Sequence, residues 1–262
     1  MKHPLPCLRK TAAVFTALLL LGLTACSPAP EVVPDSPEAD VYLLETGMPQ
    51  ETIDSLDDSL KQVIWETAPE TPQEFVSVET ETSEDCIPFI VTSSLPSESF
   101  SVSTVVFRGG TYEGDEVYAF YPVFQWQDDR HIAGDVFGFS LPEGWRVVPG
   151  EQDLSLYEKS GENWAFCGAL GSACSAGWTG YGFDGFGDFC KGKGVYQGVG
   201  YLRAYKSQDS APNEISVVYG HEDSLGGVQF NRQLRIDPQP DNVQISTHNG
   251  AKLKDRDIVF QF

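Results

Sequence analysis

The side chains with the clearest chemical potential lie in a segment at positions 161–200, which is rich in glycine and aromatic residues. Twelve of its 40 residues are glycine, and a loop of this length is usually either functional or disordered. So many aromatic side chains argue against disorder. One interpretation is a platform on which sugar rings stack, with carboxylates that accept hydrogen bonds from hydroxyl groups or bind calcium. The candidate residues are Trp178, Tyr181, Phe183, Asp184 and Asp188. The alternative is that these rings pack beneath their own loop or close the open end of the fold.

Catalytic signatures are missing from the sequence. It contains no GxSxG or SxxK nucleophile motif, no HExxH or CxxC metal motif and no calcium loop of alternating Asp and Asn. Beyond the first 25 residues the histidines are His131, His221 and His248, and scattered histidines are more often surface or core residues than catalytic bases. We therefore predict no catalytic residue, no metal site and no cofactor.

The N-terminus has the three parts of a secretory signal peptide. Lys2, Arg9 and Lys10 form a basic region, the apolar run Ala12–Leu21 follows, and Leu23–Cys26 comes after a glycine. The apolar run of about 10 residues is too short for a membrane-spanning helix, which needs roughly 20. We therefore expect residues 1–25 to direct export and then to be removed.

The four residues at positions 23–26 resemble the lipobox of bacterial lipoproteins. The resemblance implies cleavage before Cys26, attachment of a diacylglycerol to its sulfur, and a location on the extracytoplasmic face of the cell membrane. The membrane would then be a partner through the lipid on Cys26. Without lipidation, Cys26 would remain a free or disulfide-bonded thiol after an ordinary cleavage.

The charge of the chain excludes nucleic acid as a partner. Seventeen Lys and Arg residues face 38 Asp and Glu residues, for a net charge of −21, and the mature chain from Cys26 onward carries −24. Binding to phosphate backbones requires clustered cations. Residues 26–40 are rich in proline and acidic residues, so we predict an extended tether between the lipid and the folded part.

Four further cysteines would lie outside the cell, and an even number in an oxidising environment suggests two disulfides. Cys167 and Cys174 flank a loop of small residues, which favours a Cys167–Cys174 bond together with a Cys86–Cys190 bond. Three connectivities are possible for four cysteines. Other pairings, free buried thiols and a four-thiolate zinc site remain open.

A helical pattern occupies part of residues 41–72, which we assign to an amphipathic helix and its connectors. Between Pro49 and Glu66, apolar residues recur at spacings of three and four. The helix should end before Pro69, because the residue that precedes a proline disfavours the helical conformation. The apolar positions are Ile53, Leu56, Leu60, Val63 and Ile64. We expect this face to dock on the downstream domain, the alternative being a separate protein partner.

From residue 73 to residue 262, apolar and polar residues alternate with the period of two that is typical of β-strands. Runs such as Phe100–Phe107, Val117–Gln127 and Val195–Tyr205 alternate and are bounded by turn residues. Because no further helical pattern of ten or more residues occurs, parallel crossovers are excluded. We predict a mainly β protein: an antiparallel β-sandwich or flattened barrel at 73–262, preceded by one amphipathic helix. This excludes the α/β lobes of solute-binding lipoproteins and of nucleotide sites.

The β-rich part is similar to exported proteins of Clostridia-type Gram-positive bacteria. The resemblance lies in Phe124–Asp128, Asp135–Ser140, Gly144–Arg146, Gly198–Gly200 and Gly226–Phe230. It implies a β-sandwich and an anchor on the outer face of the cytoplasmic membrane, and it implies no activity.

Together these observations favour a membrane-anchored surface lipoprotein without catalytic activity. We expect a binding or structural module for envelope glycan or for an exported protein. The alternative is a cell-envelope hydrolase, a glycosidase or peptidase, built on a β scaffold.

Overall fold

The computed structural model describes residues 31–71, 73–81, 99–171, 175–176, 179–222, 233–238, 243–248 and 253–262. Three helices lie near the start of this part: α1 (Pro37–Glu45), α2 (Gln50–Ser55) and α3 (Asp58–Glu66). The strands are β1 (Glu31–Val32), β2 (Glu74–Glu81), β3 (Phe100–Tyr112), β4 (Asp115–Trp126), β5 (Val136–Ser140), β6 (Trp145–Ser160), β7 (Asn163–Ala169), β8 (Ser175–Ala176), β9 (Gly180–Phe183), β10 (Tyr196–Lys206), β11 (Glu214–Glu222), β12 (Gln233–Pro238), β13 (Val243–His248) and β14 (Leu253–Gln261). A 3₁₀ turn spans Phe186–Asp188.

The described strands form two large sheets and one hairpin. The first sheet has seven strands in the order β1-β7-β6-β10-β4-β3-β2, the second has five in the order β14-β11-β5-β9-β8, and β12 pairs with β13. Each described ladder is antiparallel, and each large sheet ends in edge strands rather than closing on itself. The predicted mainly β, antiparallel sandwich is therefore confirmed, and the barrel alternative is not.

Side chains on the two faces of the seven-stranded sheet enter two different cores. Along β4, Phe120, Phe124 and Trp126 belong to the core shared with the five-stranded sheet. Tyr121 and Val123 on the same strand belong to a second core beneath the helices. Successive side chains of a strand point to opposite faces, so β4 has an unbroken apolar run at positions 117–124 because both of its faces are covered there.

The helices cover the outer face of this sheet. Ile53, Leu60 and Ile64 are buried in the second core, as the predicted apolar face requires. The helical stretch is interrupted, however, because Leu56 is extended and Asp57 occupies the N-cap position of α3. Two short helices therefore stand where one was predicted, and α1 is an additional helix.

A buried polar link ties α3 to the centre of the sheet. The Ser59 hydroxyl donates a hydrogen bond to Oε1 of Gln197 on β10. Nε2 of Gln197 donates to Oδ2 of Asp57, at 2.9 Å. Lys61 also forms an ion pair with Asp40 at 2.9 Å, which joins α3 to α1. These bonds satisfy groups that would be costly to bury alone, and they set the position of α3 along β10.

Residues 31–40 are folded, although the sequence predicts them as part of the tether. β1 extends the sheet by pairing with β7, and the Val33 amide donates to the Trp164 carbonyl at 2.8 Å. The Ser36 hydroxyl accepts a hydrogen bond from the Ala39 amide, so Ser36 caps α1, and Pro37 stands in the first turn. The sequence signals for a proline-rich linker and for a helix start overlap here, and contact with the sheet favours the helix.

Truncation of a buried helix side chain tests whether the helices are part of the core. Ile64 is fully buried, so Ile64→Ala should lower the free energy of unfolding by about 2–5 kcal/mol. Leu44 is 46% exposed, and Leu44→Ala should change it by less than about 0.5 kcal/mol. The measurement is the midpoint of urea unfolding. Equal midpoints for the two variants would contradict the helix layer as a structural part of the domain.

Candidate functional site

An aromatic pair with one exposed and one half-buried ring lies on the helical layer. The rings of Tyr42 on α1 and Trp65 on α3 meet edge to face, with centroids 5.7 Å apart. Trp65 is 42% exposed because it follows the buried Ile64 and lies off the apolar face of α3. The Tyr42 hydroxyl donates to Oε1 of Gln73 at 2.8 Å. Burial raises the pKa of Tyr42 to about 12, so its phenol is neutral at physiological pH.

Two grooves adjoin this pair, and we call them together the Trp65 surface. The first has a volume of about 380 Å³ and the second about 370 Å³, and Tyr42, Glu45 and Trp65 line both. The remaining lining residues of the first are Pro37, Glu38 and Val41, and those of the second are Thr46, Ala68, Pro69, Glu70 and Gln73. An aromatic face beside several hydrogen-bond acceptors is suited to an amphipathic ligand.

The Trp65 surface lies in a strongly negative part of the chain. Residues 27–100 contain 17 acidic side chains and a single base, Lys61. The charge of Lys61 is already matched by Asp40. Glu38, Glu45 and Glu70 therefore act on a ligand without a compensating cation from this segment. The surface repels anions and favours neutral or cationic groups.

The platform predicted at positions 161–200 has a different environment. Phe183 is fully buried and Tyr181 is 5% exposed, both on β9 and both in the core between the sheets. Phe183 packs against Phe139 of β5, with centroids 5.8 Å apart. Their ring faces are occupied by protein, so the alternative interpretation, packing within the fold, describes these two residues. The cause is that β9 pairs with β5 and so becomes part of the second sheet.

The two predicted carboxylates follow β9 in the chain and differ in exposure. Asp184 is half-buried after β9, and Asp188 is exposed in the 3₁₀ turn. Trp178 lies outside the described residues. Within the described part of the chain, no group of three or more His, Cys, Asp or Glu side chains is arranged to hold a metal ion.

Two stretches of the same segment have the spacing of phosphate-binding motifs, GxGxxG at Gly180–Gly185 and GxxxxGK at Gly187–Lys193. Such motifs bind phosphate where a strand leads through the glycine loop into a helix. Here the first stretch is largely strand β9 itself, and the second begins inside a three-residue 3₁₀ turn. The structural context that would support nucleotide binding is therefore missing at both stretches.

A buried polar network joins the two sheets. Asp135 is fully buried and accepts a hydrogen bond from the Tyr219 hydroxyl, and its Oδ2 lies 2.9 Å from Nδ1 of His221. Nε1 of Trp126 on β4 donates to the Tyr219 oxygen at 3.0 Å. Burial, with the nearby Asp135 charge, raises the pKa of Tyr219 well above its usual value, so the phenol remains a donor. An Asp that orients a His is found in hydrolases, but the partners named here are themselves core residues.

The lipid anchor and the two disulfides were predicted at five cysteines, of which the structure describes two. Cys26, Cys86 and Cys174 lie outside the described residues, so the lipidation and the predicted disulfide pairing stay predictions. Cys167 and Cys190 are free thiols, the first half-buried and the second buried. No helix in the described parts of the chain is long and apolar enough to cross a membrane.

Sequence reasoning overlooked the Trp65 surface and the network around Asp135. A signal for the first is present, since a tryptophan beside the apolar stripe of an amphipathic helix has no place in its buried face. A signal for the second is not, because Asp135 and His221 are 86 positions apart in the chain. Their contact follows from strand pairing across the second sheet.

The network can be tested by removing one hydroxyl. Tyr219→Phe takes a donor from the buried Asp135 carboxylate and an acceptor from Trp126, so the free energy of unfolding should fall by about 1.5–3 kcal/mol. Tyr121→Phe is the matched control. The Tyr121 hydroxyl is also buried, but its described hydrogen bond is to a neutral group, the Thr67 hydroxyl, at 2.9 Å. Its cost should be about 0.5–1.5 kcal/mol. Urea unfolding measures both, and equal losses would contradict a charge-assisted network.

Comparisons with known proteins assign the chain to no family. No family model matches it, and no curated protein matches it. Among solved structures, a pore-forming protein is similar with a TM-score of 0.35 and 6% identity over 72% of this chain and 91% of that one. The collagen-binding domain of the Erysipelothrix rhusiopathiae surface protein RspB has a TM-score of 0.29 and 10% identity over 62% of this chain and 65% of that one. With TM-scores this low, neither likeness supports a functional conclusion.

Proposed function

We propose that this protein is a membrane-anchored surface lipoprotein that binds envelope glycan, without catalysis, on the helical layer that covers its β-sandwich. The observation that carries the proposal is the half-exposed Trp65 ring, held by Tyr42 between two grooves with carboxylate and amide acceptors. The apolar face of a sugar ring packs on an aromatic face, while its hydroxyl groups donate to acceptors such as Glu45 and Gln73.

The charge of the surface narrows the class of glycan. Glu38, Glu45 and Glu70 repel phosphate and uronate groups, and they attract a free amine. A cation beside Trp65 would also be stabilised by the ring itself. We therefore propose a neutral or amine-bearing sugar chain as the ligand. An exported protein that presents basic side chains is the competing occupant.

The proposed membrane anchor is a lipid on Cys26, the residue that the lipobox resemblance assigns as lipidated. Only four residues lie between Cys26 and Glu31, where β1 begins, and the five steps from Cys26 to Glu31 reach at most about 18 Å. The folded domain therefore stays near the bilayer, on a much shorter connection than a tether of residues 26–40 would give. A ligand of this surface would belong to the innermost layer of the envelope.

The alternative, an envelope hydrolase, has its best support in the Asp135–His221 pair. The described partners of that pair, Tyr219 and Trp126, are buried in the core between the sheets. A catalytic pair must instead face a cleft that a substrate can enter. Binding at the Trp65 surface is therefore the function that the geometry supports better.

The ligand site can be tested with one aromatic substitution and a matched control. Trp65→Ala should weaken the affinity for N-acetylglucosamine oligomers, or for their de-N-acetylated forms, at least tenfold, because the stacking surface is lost. Phe166→Ala is the control, since Phe166 on β7 is 40% exposed, close to the 42% of Trp65, and lines a separate groove. Titration calorimetry measures both variants, with polyglycerol phosphate as the anionic comparison. The glycan proposal fails if wild-type protein binds neither form, or if Trp65→Ala binds as wild type does.

The anchor can be tested separately in cells. Cys26→Ser should abolish incorporation of labelled palmitate and move the protein from the detergent phase to the aqueous phase. Cys7→Ser is the control, because Cys7 lies in the segment that cleavage removes, and its labelling should equal that of wild type. Labelled Cys26→Ser protein would contradict the lipid anchor while leaving the glycan site untouched.

A further inference from the structure

The Cys167 and Cys190 side chains meet at the junction of two chain segments. Cys167 lies on β7, and Cys190 follows the 3₁₀ turn Phe186–Asp188. The Cys167 thiol donates a hydrogen bond to the Ala165 carbonyl at 3.7 Å. The Cys190 side chain is its neighbour and lowers the pKa of Cys167.

The neighbours of the two cysteines show that the segments are in close contact. A β-carbon added to Gly168 would lie 2.1 Å from the ring of Phe189. Only glycine permits this approach at position 168, since any side chain would displace the ring. The residue after Cys167 and the residue before Cys190 thus pack directly on each other.

Hydrogen bonds and ring stacking in the 3₁₀ turn also fix the backbone at Cys190. Its amide donates to the Phe186 carbonyl at 2.7 Å, and the Phe186 ring stacks on Phe124 with an interplanar angle of 5°. The Gly187 amide donates to the Ala133 carbonyl at 3.2 Å. Cys190 is therefore positioned by the core, while Cys167 lies at a bulge in the β6–β7 ladder, between the paired residues Phe166 and Gly168.

We infer that Cys167 and Cys190 form a disulfide in the exported protein, linking β7 to the 3₁₀ turn. This inference rests on the export that the proposed function assumes, because disulfides persist in oxidising compartments. It replaces the Cys167–Cys174 bond predicted from spacing, since Cys167 can form only one disulfide. The predicted bond between Cys86 and Cys190 is excluded for the same reason.

The oxidation requires a disulfide reagent, either an oxidised thiol oxidoreductase of the exterior or a small-molecule disulfide. Interaction with Cys190 lowers the pKa of Cys167, whereas interaction with Cys167 and burial raise the pKa of Cys190. Cys167 is also the more accessible thiol. Its thiolate attacks one sulfur of the reagent, forms a mixed disulfide and releases the first reagent thiolate. Cys190 then gives its proton to water and attacks the Cys167 sulfur, so that the second reagent thiolate leaves and two electrons have passed to the reagent.

Peptide mapping tests the connectivity on the lipoprotein extracted from membranes in detergent. Trypsin releases residues 160–191 as one peptide that contains Cys167, Cys174 and Cys190, because no Lys or Arg lies between Lys159 and Lys191. Cleavage before Asp184 and Asp188 then separates residues 160–183 from residues 188–191. The double variant Cys86→Ser, Cys174→Ser leaves a single possible bond between these two peptides. After alkylation without reduction, we expect them linked in this variant, and fragmentation of wild type should assign the same link.

A stability measurement tests the bond independently. Closing this loop should raise the Tm of the double variant by about 6–12 °C over its reduced form. Oxidised glutathione added to the purified reduced variant should restore this difference, which separates failure of the bond from failure of export. The variant Cys167→Ser, Cys190→Ser lacks this bond, so the part of the Tm decrease that a reducing agent causes by breaking it should be absent. Alkylated Cys167 and Cys190 in the glutathione-treated double variant, or a wild-type link from Cys167 to Cys174, would overturn the inference.

Discussion

The seven-stranded sheet has two apolar faces, and both must be removed from water. Phe124 and Leu202 point toward the second sheet, while Tyr121 and Val199 point the other way. A sandwich of two sheets would cover only the first of these faces. The three helices cover the second, so the protein has three layers: helices, the seven-stranded sheet and the five-stranded sheet. Burial of apolar surface is the main source of stability in a folded domain.

The surface that we propose for binding is a by-product of this covering. α1 and α3 turn Leu43, Leu60 and Ile64 toward the sheet, and the residues on their outer sides are left to solvent. Trp65 is held in that position by its ring contact with Tyr42, whose hydroxyl is bonded to Gln73. An exposed tryptophan that is fixed in orientation loses little conformational entropy when a ligand packs on it. The core thus supplies the preorganisation of the surface.

The interior between the sheets is not purely apolar. Trp126 belongs to the seven-stranded sheet, whereas Tyr219 and His221 belong to the five-stranded one, and Asp135 lies between β4 and β5 along the chain. Their hydrogen bonds span the interface, and a buried network of this kind specifies one arrangement of the layers. Aromatic packing alone tolerates sliding, because it is less directional than hydrogen bonding. Gly198 adds a further constraint, since the ring of Phe124 occupies the space beside its α-carbon.

The sequence by itself determined the fold class, because a period of two without helical crossovers leaves only antiparallel sheets. It also indicated which helix residues are buried, since Ile53, Leu60 and Ile64 repeat at the helical spacing. The tertiary structure alone decided which aromatic rings are exposed: Phe183 became core when β9 joined β5, and Trp65 stayed at the surface. It also decided which polar side chains meet across the sheets and which thiols are neighbours. These outcomes depend on strand pairing between distant parts of the chain, and a local pattern contains no information about which distant segment will pair with it.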